Sequence, residues 1–269
     1  VDTELVWERT FYPALGVLRL GLSREGCYLL DAVALNGQLA PLGELLADAS
    51  TVKILHDAGQ DLTILQKASS SPGARVSAIN IFDTRVAAGF VGLASTISLR
   101  DLLLDLVGIE LDKTETRTDW LQRPLAETQV GYAEDDVRYL VDAHDELLRR
   151  ARERDVTEWL QEEMESLNNP AFFEERNPRE EFRRVKGYGK MRGLDLATLR
   201  ELTVWREAAA RELDRPRGWV ASDKLLLFLA QRQPTNLEDF GDVRSFRRRD
   251  IERHGQQILD AVSRAHSLS

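Results

Sequence analysis

Cysteine is almost absent from this chain of 269 residues: Cys27 stands alone. No internal disulfide and no zinc site built on several thiolates can form from it, which fits a reducing compartment, and a cytoplasmic location is expected. No run of eighteen apolar residues occurs, so no membrane-spanning helix and no membrane partner are expected. The charged, apolar and small-residue succession of a signal peptide is also missing from the start. With 43% hydrophobic and 30% charged residues, the chain has the composition of one large or two ordinary globular domains. The net charge is −9, and it is unevenly spread. Residues 1–150 carry 14 Lys and Arg against 23 Asp and Glu, whereas residues 151–269 carry 22 against 22. An acidic front half can still meet a polyanion, provided that cations neutralise its carboxylates and its basic residues are clustered.

The front half is rich in strand and helix signals. Val17–Leu22 and Cys27–Leu30 flank Ser23-Arg24-Glu25-Gly26 and predict a hairpin. Pro41–Ala49 predicts a helix, Val52–Leu55 a buried strand and Gln60 the start of a further helix. Ala78–Phe82 leads through Asp83-Thr84 into a helix, and Ser98–Val107 is amphipathic and ends at Gly108. Strands first and helical crossovers afterwards predict an α/β fold, a mixed sheet with helices on both sides. The chain opens on Val1-Asp2-Thr3-Glu4, read as a strand whose beginning lies upstream.

Several acids fall where they could work together. In a strand Asp2 and Glu4 point to one face and repel unless a cation holds them. Asp57 and Asp61 lie four apart, and Asp61 falls in the first turn of a predicted helix, where the macrodipole favours an anion. Either could be the ligand. Residues 131–140 lie in an apolar-periodic run with Pro124 at its predicted first turn, so Tyr132 and Asp136 share one helix face. Asp135 stands beside Asp136, and three acids in succession also suit a solvated face. Residues 111–120 form a polar loop with Lys113, Arg117 and Trp120, able to grip phosphates or simply to connect elements.

The back half reads differently. Ala151–Leu167 predicts a charged helix stopped by Asn168-Asn169-Pro170, and 168–193 is expected to be a linker with three glycines and two prolines. Within it, residues 182–193 contain Arg183, Arg184, Lys186, Lys190 and Arg192, two aromatics and no acid, a mixture suited to phosphate contact and base stacking. From 194 only helical patterns follow: 196–211, 222–232, 237–239 and 250–265. Arg244, Arg247, Arg248 and Arg249 make a second basic cluster.

Asp-Thr-Glu at 2–4, His-Asp-Ala-Gly-Gln-Asp-Leu at 56–62 and Tyr-Ala-Glu-Asp-Asp at 132–136 together resemble the DEDDy 3′–5′ exonucleases. Phe11-Tyr12-Pro13, Phe82-Asp83-Thr84, Leu111-Asp112-Lys113, Asp119-Trp120, Arg123-Pro124-Leu125 and residues 132–140 are similar, in order and spacing, to bacterial ribonuclease D. Trp205-Arg206, Pro216, Ser222-Asp223, the 225–230 run and Pro234 look like one HRDC domain. The resemblance implies an exonuclease domain at 1–167 with a ribonuclease H-like sheet, the linker at 168–193 and a small all-helical domain at 194–269. It also implies two divalent ions, Mg²⁺ or Mn²⁺, held by Asp2, Glu4, Asp61 and Asp136. Hard cations take such oxygen ligands, and a pair of them can hold the attacking water and the leaving oxygen of an in-line displacement. Family spacing, not the local sequence, selects Asp61 over Asp57. Tyr132 would orient the water. The implied substrate is RNA with a free 3′ end, transfer RNA precursors in particular, trimmed to nucleoside 5′-monophosphates. Substrate contacts are expected from His56, Lys113, Arg117, Trp120, Arg183, Arg184, Lys186, Arg247 and Arg248. The rival readings are a 3′–5′ DNA exonuclease and an inactive nucleic-acid-binding module.

Overall fold

The computed structural model describes residues 1–70, 75–111, 118–173, 177–241 and 248–267. The chain forms two compact units. The first comprises Val1–Val6 and Pro13–Glu174, and the second comprises Trp7–Tyr12 and Glu175–Ser269.

In the first unit, β1 (Asp2–Val6), β2 (Ala14–Gly21) and β3 (Cys27–Asp31) form an antiparallel meander in the order β1-β2-β3. Asp2 lies opposite Arg19, Thr3 opposite Leu18 and Glu4 opposite Val17, with a register shift between Glu4 and Leu5. A short α1 (Ala32–Leu35), capped by the Asp31 carboxylate, and α2 (Ala40–Ala47) follow. Then β4 (Lys53–Leu55) leads into α3 (Gly59–Ser69), and β5 (Ile81–Asp83) pairs in parallel with β4. The backbone nitrogen of Val1 donates to the carbonyl of Ile54 at 2.7 Å, so β1 begins beside β4. The mixed α/β architecture expected from the sequence is therefore present.

Alternation along β2 distributes the packing. Leu18 points to one face, into a core with Leu42 and Leu46 of α2 and Leu62 and Leu65 of α3. Val17 points to the other, against Trp120 and Ala133. After α4 (Thr84–Phe90) and α5 (Leu99–Val107), the helix expected to run through residues 131–140 from a first turn at Pro124 is broken into α6 (Glu127–Arg138) and α7 (Leu140–Glu153) at Tyr139, whose φ of −108° and ψ of 6° leave the helical range. Pro124 precedes α6 rather than occupying its first turn. The charged helix expected over 151–167 is likewise interrupted, and α8 covers Thr157–Ser166. Gly21 permits close approach of α6: a Cβ there would lie 2.4 Å from the carbonyl oxygen of Val137. A third cluster joins Phe82, Leu102, Leu103, Leu147 and Leu160 under α4, α5, α7 and α8.

The second unit contains α9 (Gly193–Glu212), α10 (Arg217–Val220), α11 (Asp223–Arg232) and α12 (Arg248–Ser267). Its core gathers Leu199, Leu202 and Trp205 with Leu226, Leu229, Phe240 and Ile258. The expected linker differs from what is found. Phe182, Val185 and Met191 are buried in this same core, carried by 3₁₀ turns at Glu181–Arg184 and Tyr188–Lys190. Three apolar side chains spaced through a basic segment suffice to pull it in, since burying each stabilises by about 1.5–3 kcal/mol. The segment Trp7–Tyr12 also belongs here. Asp214 Oδ1 accepts from the backbone N–H groups of Phe11 and Tyr12 at 3.1 and 3.2 Å, and the Arg217 guanidinium lies 4.4 Å from the centre of the Phe11 ring.

Candidate active site

Asp2, Glu4, Val17 and Arg19 share one face of the meander, and α6 lies across that face. One guanidinium organises the acids. Arg19 is 3% exposed, and its Nη1 lies 2.9 Å from Glu4 Oε1 and 2.7 Å from Asp136 Oδ2, while its Nη2 pairs with Asp2. The helix spacing that unites Tyr132 and Asp136 holds, and the Arg19 guanidinium carbon stands 5.9 Å from the centre of the Tyr132 ring. Asp61, at the start of α3, approaches from the other side of β1, where the Thr3 hydroxyl donates to its Oδ1. The structure thus brings Asp2, Glu4 and Asp136 around Arg19, with Tyr132 beside them and Asp61 tied to the same strand.

Electrostatics show how unbalanced the group is. Burial, then the nearby Asp136 and Asp61, push the Glu4 carboxyl up to about 8. Burial likewise raises Asp61 and Asp136, against the pull of Arg19 on both. Tyr132 is raised by burial first and by Asp136 and Glu4 next, so its hydroxyl keeps its proton at neutral pH. Asp2 Oδ2 is buried, and Arg19 Nη2 is the cation that faces it. Among the described residues no three His, Cys, Asp or Glu side chains stand close enough together to hold an ion as they are, and Arg19 contacts Asp2, Glu4 and Asp136. The donor set itself, all carboxylate and phenol oxygens with an excess of negative charge, fits a hard divalent cation.

The neighbouring acids separate cleanly. Asp57 sits at φ 64° with its carboxylate exposed and paired to Arg85, and Asp135 is paired at 3.3 Å with Arg138 on the exposed side of α6. Neither joins the cluster.

The expected substrate contacts fare less uniformly. His56 has both ring nitrogens engaged, Nδ1 with the Thr84 hydroxyl at 2.9 Å and Nε2 with the Ile97 carbonyl at 3.1 Å, and burial lowers its pKa. It ties β4 to the segments around Thr84 and Ile97. Trp120 is 2% exposed and packs on Val17 and Ala133, its ring 6.3 Å from that of Tyr132. It supports the site from beneath and cannot stack on a base. Arg183 and Arg184 are exposed and form local pairs with Glu180 and Glu181. Lys186 is exposed while its backbone N–H donates to Asp223, and Arg248 is exposed beside Glu252. Lys113, Arg117, Arg244 and Arg247 lie outside the described residues. Arg19 and Thr3 went unassigned from the sequence. The signal for Arg19 was available: a charged residue inside the apolar run of β2 is rarely buried unless paired.

The class follows from comparison with known proteins. A family described as 3′–5′ exonuclease matches residues 1–152, and the HRDC domain family matches residues 195–262. Ribonuclease D of Desulfotalea psychrophila is 45% identical over 265 residues, covering 98% of this chain and 69% of that protein. The chain belongs to the ribonuclease D family. The crystal structure of Escherichia coli RNase D, described as an exoribonuclease involved in structured RNA processing, superposes with a TM-score of 0.83 at 29% identity, over 100% of this chain and 69% of that one. Brucella melitensis NrnC with bound Mg²⁺ shares the fold, with a TM-score of 0.55 at 21% identity over 71% of this chain and 86% of that one.

Proposed function

We propose that this chain is a metal-dependent exoribonuclease that removes nucleotides from the 3′ ends of structured RNA, transfer RNA precursors among them, releasing nucleoside 5′-monophosphates. The observation that carries the proposal is the gathering of Asp2, Glu4 and Asp136 about a single buried cation, with Asp61 and Tyr132 adjoining. Such an excess of buried negative charge is costly unless further cations join it. We assign Asp2, Glu4, Asp61 and Asp136 as the residues that would hold two Mg²⁺ or Mn²⁺ ions. When bound, such ions supply Lewis acidity to the phosphodiester and to the attacking water. Tyr132, protonated at neutral pH, positions that water by hydrogen bonding, and its ring rests on Trp120. Attack of the water oxygen on the terminal phosphorus breaks the bond to the 3′ oxygen, which takes up a proton and stays on the shortened chain. Arg183, Arg184, Lys186 and Arg248 offer exposed charge for phosphate contacts on the second unit.

Among the described residues no helix is long and apolar enough to cross a membrane, and the lone Cys27 suits a reducing cytoplasm, the compartment proposed for the enzyme. The test is direct. RNA and DNA of matched sequence, labelled at the 5′ end, are incubated with Mg²⁺, Mn²⁺ or chelator. Stepwise shortening of RNA with either metal and none with chelator is expected. Preferential loss of DNA would move the assignment to the deoxy substrate, and indifference to chelator would remove the metals from it.

A further inference from the structure

Arg19 stands where the carboxylates would need an ion. It issues from the middle of β2, directly across the antiparallel register from Asp2, and is 3% exposed. Its two terminal nitrogens reach Asp2, Glu4 and Asp136, three acids delivered by two elements far apart in sequence. Among the described residues no other ion pair to these three carboxylates is found. A planar guanidinium matches carboxylates well, and here its donors are divided among three of them.

We infer that Arg19 is a built-in counter-cation that competes with divalent metal for Asp2, Glu4 and Asp136, holding the metal-free site together and withdrawing from between the acids when metal enters. The inference rests on the metal reading given above. The physical case has two parts. A buried cluster of like charges without any cation would be strongly destabilising, so the metal-free protein needs Arg19. The same nitrogens bind the oxygens that a metal would take, so each metal must displace them, and apparent metal affinity equals the intrinsic affinity multiplied by the small fraction of molecules in which Arg19 has let go. The guanidinium carbon already lies 5.9 Å from the centre of the Tyr132 ring while it pairs with the acids, so the same aromatic face stays within reach as its nitrogens withdraw.

The experiment compares the full chain with Arg19→Gln and Arg19→Lys by calorimetric titration with Mn²⁺ and by thermal melting with and without Mn²⁺. Arg19→Gln is expected to bind Mn²⁺ about tenfold more tightly, because the competitor is gone. It should also melt lower than wild type without metal and gain more from Mn²⁺ than wild type does. Arg19→Lys, which keeps the charge but not the fork, should fall between the two on both measures. If Arg19→Gln does not fold without metal, Arg19→Lys alone decides: tighter Mn²⁺ binding than wild type supports competition, and equal or weaker binding overturns it. Equal or weaker Mn²⁺ binding by Arg19→Gln, with wild type binding normally, also overturns the role of Arg19 and leaves the metal assignment standing. Mn²⁺ binding by none of the three proteins would overturn the metal assignment itself and this inference with it. Asp136→Asn serves as the control, and its loss of Mn²⁺ binding marks the titrated site as the one described.

Discussion

The helical unit buries carboxylates and gives each its own arginines. Glu207, 1% exposed, accepts from Arg217 Nε at 2.5 Å, and Glu201, 3% exposed, faces Arg179 and Arg264 at 3.3 and 3.2 Å. In the α/β unit the single guanidinium of Arg19 is divided among Asp2, Glu4 and Asp136, and burial pushes Glu4 up to about 8. Burial matched by a cation for each acid fixes helices in place, although Glu207 Oε2 itself has no hydrogen-bond partner among the described residues. Unbalanced burial is unstable by itself and persists where a ligand of opposite charge completes it. The two groups of buried acids thus differ in how completely cations match them, and the proposed metal site is the group that is under-matched.

Substitution at each group should break that contrast in opposite ways. The largest effect is expected from Asp136→Asn: RNA hydrolysis lost, RNA binding kept, and no fall in the melting temperature of the metal-free protein, since one of the repelling charges is gone. Asp135→Asn, altering only an exposed pair with Arg138, should leave the rate near wild type. Single-turnover assays and melting curves measure both, and equal loss of activity in the two variants would mean that the acids of α6 have been assigned in the wrong order.

Tyr132→Phe comes next. It keeps the ring on Trp120 and removes the hydroxyl, so single-turnover cleavage should slow by about two to four decades, the range for a positioned proton-handling group, with Mn²⁺ affinity unchanged. A rate equal to that of wild type would deprive the hydroxyl of its role.

On the balanced side, Arg217→Ala should cost stability and not chemistry. It leaves Glu207 buried without its cation, a loss of about 3 kcal/mol by denaturant unfolding. Cleavage of a short RNA by the folded fraction should match wild type. A tenfold or greater drop there would show that the second unit's ion pairs bear on the reaction and that the contrast is drawn too sharply.

The smallest effect concerns a surface pair of the α/β unit. Arg123 meets both oxygens of Asp31, at 2.7 and 2.6 Å, and its hydrogen bonds, ahead of all else, hold the Asp31 carboxyl down at about 2 against an ordinary 3.8. A carboxylate held low stabilises the fold above its unfolded value, and that contribution is lost as pH falls through the folded one. Asp31→Asn can still cap α1 but cannot form the ion pair. It should lower stability by about 1 kcal/mol at pH 7, the deficit shrinking between pH 4 and pH 2. A deficit that stays constant over that interval would assign the loss to the cap or to packing.

Much of the fold could be read locally. Ser98 and Gly108 bound α5, Ser222 caps α11, and the Ser23–Gly26 turn joins β2 to β3, because capping and turn chemistry act within a few residues. Other features carried no local mark. Nothing around Tyr139 is a glycine or proline, yet the helix breaks there. Residues 182–191 look like a basic linker, and only the core they meet shows that Phe182, Val185 and Met191 are interior. Trp7–Tyr12 follows directly on β1 and yet belongs to the helical unit, where Asp214 and Arg217 receive it.

The sequence by itself determined the inventory of the site: two acids at alternate positions of a strand, an acid opening a helix, and a phenol and an acid four apart on another helix, each placed by the periodicity of its own element. Only the tertiary structure shows Asp61 tied to Thr3 while Asp57 pairs outward with Arg85, Asp136 facing Arg19 while Asp135 pairs with Arg138, and Trp120 packed beneath Tyr132 rather than open as a substrate contact. It alone placed Arg19 among the acids. The reason is one of range. Periodicity states which way a side chain points from its own backbone, but which charges share a buried space depends on strand register and helix packing, set by contacts between residues as distant as Arg19 and Asp136.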